Sequence, residues 1–383
     1  MRKSPLPHRL VPGPGAFHRS AAAILCLAAC LGHHALQAGT VTVVCNNNSG
    51  DATLINNAIN GSSDGDEIVI DGPALITATI KLKGKRSYRG NGRDTVLKQG
   101  NSANLATILA SDSYLDNSAW TGNPISVRHL TIDGNRDNNT AATVGIIMRS
   151  WLSSIEDVSI TSMDGHGILL SNPSANSTPL SNTQVNGRIV GNFVDYCGGH
   201  GIYVKDTGNS ITDWTLTDNW IAGSGLDGIR LENSAGWIVE RNHIYGVPNH
   251  AIWADRVFGT SISDNYIEGF GETTTAGTWY GIYATAQGEI ASTINGNRVF
   301  NFGGESQTGS TYRYIGIPNV NYSSGFVTVT GNAIRGAGTT RGTGLYYQKG
   351  SGTALTVIST GNLVNNVQTQ RTIGTGVTVN AGL

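Results

Sequence analysis

One recurring phrase limits the fold of this chain more than any other feature. "HGILLSN" from His166, "HGIYVKD" from His200, "DGIRLEN" from Asp227, "HAIWADR" from His250 and "YGIYATA" from Tyr280 keep their apolar letters while their polar letters drift. The glycines that carry it are Gly145, Gly167, Gly201, Gly228, Gly281, Gly316 and Gly344, with Ala251 in the same role, at intervals of 22 to 35 residues. A second phrase follows the same beat: "GNFV" from Gly191, "DNWI" from Asp218, "RNHI" from Arg241, "DNYI" from Asp264, "GNRV" from Gly296, "GNAI" from Gly331 and "GNLV" from Gly361. Each unit thus reads as a short apolar strand, Asn-x-Ile/Val, a Gly-rich turn and Gly-Ile-x-apolar. The strands alternate with period two and show no helical period. One such coil cannot bury its apolar face, but stacked coils can, at the strand spacing of about 4.8 Å. Asn192, Asn219, Asn242, Asn265, Asn297, Asn332 and Asn362 then fall in one structural column, their amides bonding up the stack and tolerating left-handed turns.

This pattern resembles the right-handed parallel β-helix superfamily, the pectate-lyase-like fold, over most of residues 120–383. The resemblance implies an all-β chain wound as a single-stranded right-handed parallel β-helix. Upstream, "TVTVV", "DATLINNAINGSSDGDEIVI" and "ATIKLKGKRSYRGNG" are similar to the opening segment of secreted bacterial β-helices. There Asp51 is expected to cap a short helix with Leu54, Ile55, Ala58 and Ile59 on one face, closing the end of the core. "LTIDGNRDNN" from Leu130 is similar to a phrase of phage and bacterial polysaccharide-degrading β-helices. The expected division is a signal peptide over 1–38, a cap with the first coils over 39–120, and the repeats over 121–383.

Composition supports turn-rich β structure. Gly stands at 51 of 383 residues, nearly double ordinary usage, and 39% hydrophobic content argues against disorder. Arg2, Lys3, Arg9 and Arg19 precede or flank the apolar run Ala21–Gly32, which is too short for a permanent membrane span. Cleavage after Ala38 and lipidation at Cys30 in "LAAC" are the competing maturation routes. The protein is expected outside the cytoplasm, extracellular or periplasmic, or as an outer-membrane lipoprotein, with no transmembrane segment. Residues 1–38 hold no acidic group, so the rest of the chain is more acidic than the overall net charge of −1, which disfavours a nucleic-acid partner. Cys45 and Cys197 remain beyond the signal; the compartment permits a disulfide, and nothing near them has zinc-site spacing.

The drifting letters point to the surface. In "GIYVKD", Ile202 and Val204 face the core, so Tyr203 and Lys205 face out. The same register predicts one outward column of Leu169, Tyr203, Arg230, Trp253 and Tyr283, and another of Ser171, Lys205, Glu232, Asp255 and Thr285. The first column suits a sugar platform, with aromatic rings on pyranose faces and Arg230 clasping a uronate carboxylate. It equally suits a cation–π ladder that merely covers the sheet. In the second, Glu232 and Asp255 about 5 Å apart match a retaining glycosidase pair. On an acidic sugar, Lys205 or Arg230 can instead take the C5 proton while Glu232 and Asp255 hold Ca²⁺. The bland alternative is a row of surface salt bridges. A third column, His166, His200, Asp227, His250 and Tyr280, offers a base, its orienting partner and an acid, or else a polar corner ladder.

"DGHG" at Asp164–Gly167 and "SGLDGI" at Ser224–Ile229 distantly resemble the β-helical alginate epimerases, whose site carries Asp-Pro-His; here Gly165 replaces the proline. No pectate-lyase or polygalacturonase signature is present. Two long segments, Gly271–Tyr283 and Gly303–Gly316, are expected to wall a groove through Trp279, Tyr312 and Arg313. No EF-hand, phosphate loop or nucleophile elbow occurs. The expected function is cleavage of a polysaccharide by lyase or glycosidase chemistry, in a groove floored by Tyr203, Lys205, Arg230, Glu232, Trp253 and Asp255, with Tyr283 and Trp279 as further sugar contacts and His200, Asp227 and His250 at its edge. The alternatives are a uronan C5-epimerase and a non-catalytic glycan-binding surface protein.

Overall fold

A computed structural model describes residues 38–382 apart from 303, 304, 306 and 339. The expected signal segment, including Cys30, lies outside the described residues save for Ala38. From Thr40 to Asn380 the chain winds as a parallel β-helix whose strands stack into three sheets. Sheet A contains Ile168–Ser171, Ile202–Lys205, Ile229–Leu231, Ile252–Val257 and the start of Thr278–Asn295. Sheet B contains Arg188–Val190, Thr215–Thr217, Ile238–Glu240 and Ser261–Ser263. Sheet C contains Phe193–Asp195, Trp220–Ala222, His243–Val247 and Tyr266–Phe270. Each coil runs A, B, C, and every strand pairs in parallel with its counterpart one coil on.

The repeat makes this core because equivalent apolar residues meet in register. In sheet A, Ile146, Ile168, Ile202, Ile229, Ile252, Ile282 and Ile315 form one buried column. In sheet C, Ile160, Val194, Ile221, Ile244, Ile267 and Val299 form another. Gly201 shows why the phrase needs its glycine. A Cβ there would stand 2.5 Å from Ile221 Cγ2 and 2.8 Å from the Gly228 carbonyl oxygen of the next coil, nearer than packed atoms approach.

At the B–C corner the asparagines form the expected ladder. Asn242 Oδ1 accepts the main-chain N–H of Asn219 at 3.2 Å and its side-chain Nδ2 at 2.9 Å. Asn242 Nδ2 donates to the Leu216 carbonyl at 2.9 Å and to Asn265 Oδ1 at 3.0 Å. The left-handed residue is not the asparagine but the one before it: Asp218 (φ 59°), Arg241 (φ 52°), Asp264 (φ 56°), and glycine at 191, 296, 331 and 361. The asparagine side chain closes a bend that its neighbour makes.

Helix α1 (Asp51–Gly61) covers the first coils, with Ala52, Ile55 and Ile59 in the core. Two details differ from expectation. Leu54 is 46% exposed, outside the buried stripe. Asp51 does not cap the helix; Gly50 is its N-cap, and the buried Asp51 carboxylate accepts N–H groups of Asn46, Asn48 and Leu75, tying the preceding turn to sheet C. Cys45 and Cys197 are both buried and free. Among the described residues no helix is long and apolar enough to cross a membrane.

Candidate functional site

The outer face of sheet A carries the first outward column in unbroken register: Leu169 beside Tyr203, Tyr203 beside Arg230, Arg230 beside Trp253, and Trp253 beside Tyr283. Its N-terminal end is roofed. Ala110, Ile147 and Leu169 are buried beneath Tyr114 and Leu115, with Tyr203 at the boundary. Tyr114 and Leu115 belong to helix α2 (Asp112–Leu115).

Arg149, which sequence reasoning missed, locks this roof. It is fully buried and faces only main-chain carbonyls: Nε to Asn172 at 2.8 Å, Nη1 to Ser113 at 3.1 Å and Ser118 at 2.6 Å, Nη2 to Thr178 at 3.1 Å. Burial lowers its pKa to about 10, so it is still charged at neutral pH. The available signal was a cation placed directly after the continuous apolar run "VGIIM". Arg149→Met should strand these carbonyls and cost about 3 kcal/mol or more, since each buried polar group left unmade costs about 1–3 kcal/mol. Denaturant titration measures the loss, and limited proteolysis should then cut within residues 112–124 or 172–183.

Along the open stretch the side chains stack on one another. The Arg230 guanidinium lies 4.4 Å from the Trp253 ring, and Trp253 stacks on Tyr283 at 4.1 Å with 24° between planes. Both faces of Trp253 therefore meet neighbours in the column. What the column offers a ligand is its polar rim: Trp253 Nε1 and the Tyr283 hydroxyl have no hydrogen-bond partner among the described residues. Arg230 is held from its other side by Asp227, whose buried carboxylate lies 3.2 Å from Nη1.

In the second column, Ser171 and Lys205 are rung partners, and Lys205 is exposed without a bonded partner among the described residues. Glu232 and Asp255 turn apart. Glu232 reaches back one coil, accepting the Tyr203 hydroxyl on Oε1 at 2.7 Å and the Asp206 N–H on Oε2 at 3.1 Å. Asp255 reaches forward one coil to the Thr285 hydroxyl. Asp255 stands at a register shift against the following coil, between Ala254 and Val257, where Arg256 is left-handed (φ 57°). These two carboxylates do not converge, which suits neither a retaining pair nor a Ca²⁺ site. Among the described residues no group of three or more His, Cys, Asp or Glu is placed to hold a metal ion.

The third column is a corner ladder. The N–H of His200 donates to His166 Nδ1 at 3.0 Å, that of Asp227 to His200 Nδ1 at 3.1 Å, that of His250 to Asp227 Oδ1 at 3.0 Å, and that of Tyr280 to His250 Nδ1 at 3.1 Å. A nitrogen that accepts carries no proton, so each neutral ring holds its proton on Nε2. The 3.3 Å approach of His200 Nδ1 to Asp227 Oδ2 is then not an ion pair. These histidines present N–H donors rather than free bases at the groove edge.

Burial lowers the pKa of His166 and His250 to about 4. The unfolded chain, with ordinary histidines near 6.5, binds more protons between these values. Stability should thus be level above about pH 6.5 and fall as the pH drops from 6.5 towards 4, by a few kcal/mol for the two residues together. Melting temperatures across this range test it, and His250→Asn, which can keep the acceptor, should flatten the profile.

The two long segments place Trp279, Tyr312 and Arg313 on strands and not in loops. Tyr312 is not on a groove wall; it is wholly buried and packs edge-on to Phe270 at 6.4 Å. Trp279 is partly buried on the core, its ring 5.6 Å from His250 and its Nε1 enclosed without a partner. Arg313 does reach the outer surface. It bonds the Tyr280 hydroxyl and lies 3.5 Å from the Tyr346 ring. Gly316 makes room for this cluster: a Cβ there would stand 2.4 Å from Tyr280 Cε1, so the tyrosine lies across the glycine.

Residues 200–382 match the family described as the right handed beta helix region. No curated protein sequence matches the chain. Among solved structures, the A-module of a mannuronan C-5 epimerase from Azotobacter vinelandii superposes with a TM-score of 0.59 at 16% identity, covering 88% of this chain and 96% of its own. The Dettilon tailspike protein also gives 0.59, at 14% identity, covering 88% of this chain and 66% of its own. A family 28 exopolygalacturonase from Yersinia enterocolitica gives 0.52 at 12% identity, with 90% and 79% covered. Identities this low speak to architecture, and the architecture agrees throughout: the chain is a right-handed parallel β-helix protein.

Proposed function

We propose that the outer face of sheet A is the groove of an exported enzyme that cleaves a uronate-containing polysaccharide by β-elimination. The observation that carries this reading is Arg230. It is pinned between the Asp227 carboxylate and the Trp253 face, which leaves most of its N–H donors without an acceptor. A guanidinium so fixed binds a carboxylate with little loss of freedom. Neutralising a uronate carboxylate acidifies C5, because negative charge builds there as the proton leaves. Lys205, exposed on the neighbouring coil, takes that proton as a neutral amine. Electrons from the C5–H bond form the C4–C5 double bond, and the C4–O bond breaks. Tyr203 protonates the departing oxygen, its hydroxyl turning for that step from Glu232 Oε1, to which it donates at 2.7 Å in the free protein.

The divergence of Glu232 and Asp255 favours this chemistry over retaining hydrolysis. The polysaccharide-acting proteins that share the fold, an epimerase and an exopolygalacturonase among them, make such a substrate the natural first trial. An export signal over residues 1–38 would deliver the enzyme to glycans outside the cytoplasm. The test is purified protein on polygalacturonate, polymannuronate, polyguluronate and neutral glycans. Ultraviolet absorbance of an unsaturated uronate is expected on one polyuronate. Reducing ends without absorbance would mean a hydrolase. Inversion at C5 without cleavage would mean an epimerase. Binding without turnover would mean a glycan-binding protein. Any of these three outcomes overturns the elimination.

A further inference from the structure

A second column of side chains lies on a different sheet and takes no part in the groove. It is the variable letter of Asn-x-Ile/Val. Phe193 pairs with Trp220, Trp220 with His243, His243 with Tyr266, and Tyr266 with Arg298, each following a ladder asparagine and preceding a buried Ile or Val. Period two sends all of them outward from sheet C. Trp220 and His243 are 4.0 Å apart, His243 and Tyr266 4.5 Å, and the Arg298 guanidinium lies 5.0 Å from the Tyr266 ring. The corresponding outward column of sheet B, Arg188, Thr215, Ile238, Ser261 and Thr293, contains no ring, so the aromatic run is not a general property of this helix surface.

We propose that sheet C is a second polysaccharide-binding surface, for a chain bearing carboxylates. The run spans four coil steps, about 19 Å, enough for a short oligosaccharide. From Trp220 onward its rings are not packed flat against one another as Trp253 and Tyr283 are. The Trp220–His243 planes meet at 50° and the His243–Tyr266 planes at 77°, and Trp220 is 42% exposed. These tilted rings, Trp220 exposed and His243 and Tyr266 half-buried, leave apolar surface for sugar C–H groups. Beside them lies a concavity of about 490 Å³ lined by Arg241, Asn242, His243, Asp264, Tyr266 and Arg298. Arg241 there is already paired with Asp218 and Glu240. Arg298 has no side-chain hydrogen bond or ion pair among the described residues, so its fork is the group left to bind a carboxylate. His243 Nε2 is enclosed 3.7 Å from Glu268 Oε2, so what His243 offers a sugar is its ring and not this nitrogen.

The ligand class is the one assigned to the groove, but the surface is separate, and the two readings can fail separately. Affinity electrophoresis through polygalacturonate and alginate gels measures retention, and turnover of short oligouronates measures the groove. Trp220→Ala, Tyr266→Ala and Arg298→Gln should each weaken retention about tenfold, the loss expected for one stacked ring or one charged contact. They should leave oligouronate turnover unchanged, and the same loss should appear in an Arg230→Ala background. If Arg230→Ala leaves turnover intact while the sheet C variants still lose retention, the groove reading fails and this one stands. Undiminished retention in all three variants overturns the second surface. So does a Trp220→Ala protein whose sedimentation shifts to a smaller species, because the face would then join copies of the chain.

Discussion

Arg230→Ala is expected to lower kcat/KM on the responsive polyuronate by about 10²–10³-fold, the scale of losing one preorganised donor to developing negative charge. Arg230→Lys should recover part of this, since it keeps the charge but loses the planar fork and its fit over Trp253. A plain activity loss is open to a trivial cause: the Asp227 side chain is only 2% exposed, and removing Arg230 leaves its carboxylate buried beside no cation. The double variant Arg230→Ala, Asp227→Asn separates the two effects. The amide placed at position 227 is neutral and retains an oxygen for the His250 N–H, so stability should return while activity does not. Recovery of activity together with stability would show that Arg230 serves only the fold.

The largest structural effect is expected from Asn242→Ala. Alanine strands the N–H and Nδ2 of Asn219 and the carbonyl of Leu216, all in a corner where Asn219 and Asn242 are each 1% exposed. At about 1–3 kcal/mol for each buried group left unmade, the variant should lose about 3–5 kcal/mol. Equilibrium denaturation measures this against wild type. A loss under about 1 kcal/mol would mean that the corner relaxes or admits water, and that the ladder is not a main source of stability.

Much of this molecule is legible in its sequence, for a physical reason. Period two separates inward from outward residues, and the spacing of Ile202, Ile229, Ile252 and Ile282 sets which coils meet. The column Tyr203–Arg230–Trp253–Tyr283 follows directly, because the variable lengths fall in the turns and not in the strands. The same reasoning fails at Glu232 and Asp255. Glu232 stands just past the end of its strand and Asp255 beside the backbone shift at Arg256, and each takes a hydrogen-bond partner on a different coil. It fails at Tyr312, because the segment expected as a loop forms the strand Thr311–Ile317 there, and its alternation turns Tyr312 inward against Phe270. Arg149 gave only the faint signal of a cation after an apolar run, and its role was not legible because its partners are main-chain carbonyls, which have no letter. The sheet C column was visible in principle: its members are the unconstrained letter of the second phrase, and a variable letter gains meaning only when read down the stack.

The intervals between coils differ by more than ten residues, yet the three sheets stay in step. Asparagines at one corner, from Asn192 to Asn362, and the His–Asp ladder at another, from His166 to Tyr280, re-zero the chain on the turns they span, so length added to a loop there is not carried forward as a phase error. A largely exposed surface segment such as 273–276 can therefore be lengthened, trimmed or exchanged without retuning the hydrophobic interior. Loop length and core packing are thus written in separate parts of each turn, and a change to one need not be answered by a change to the other.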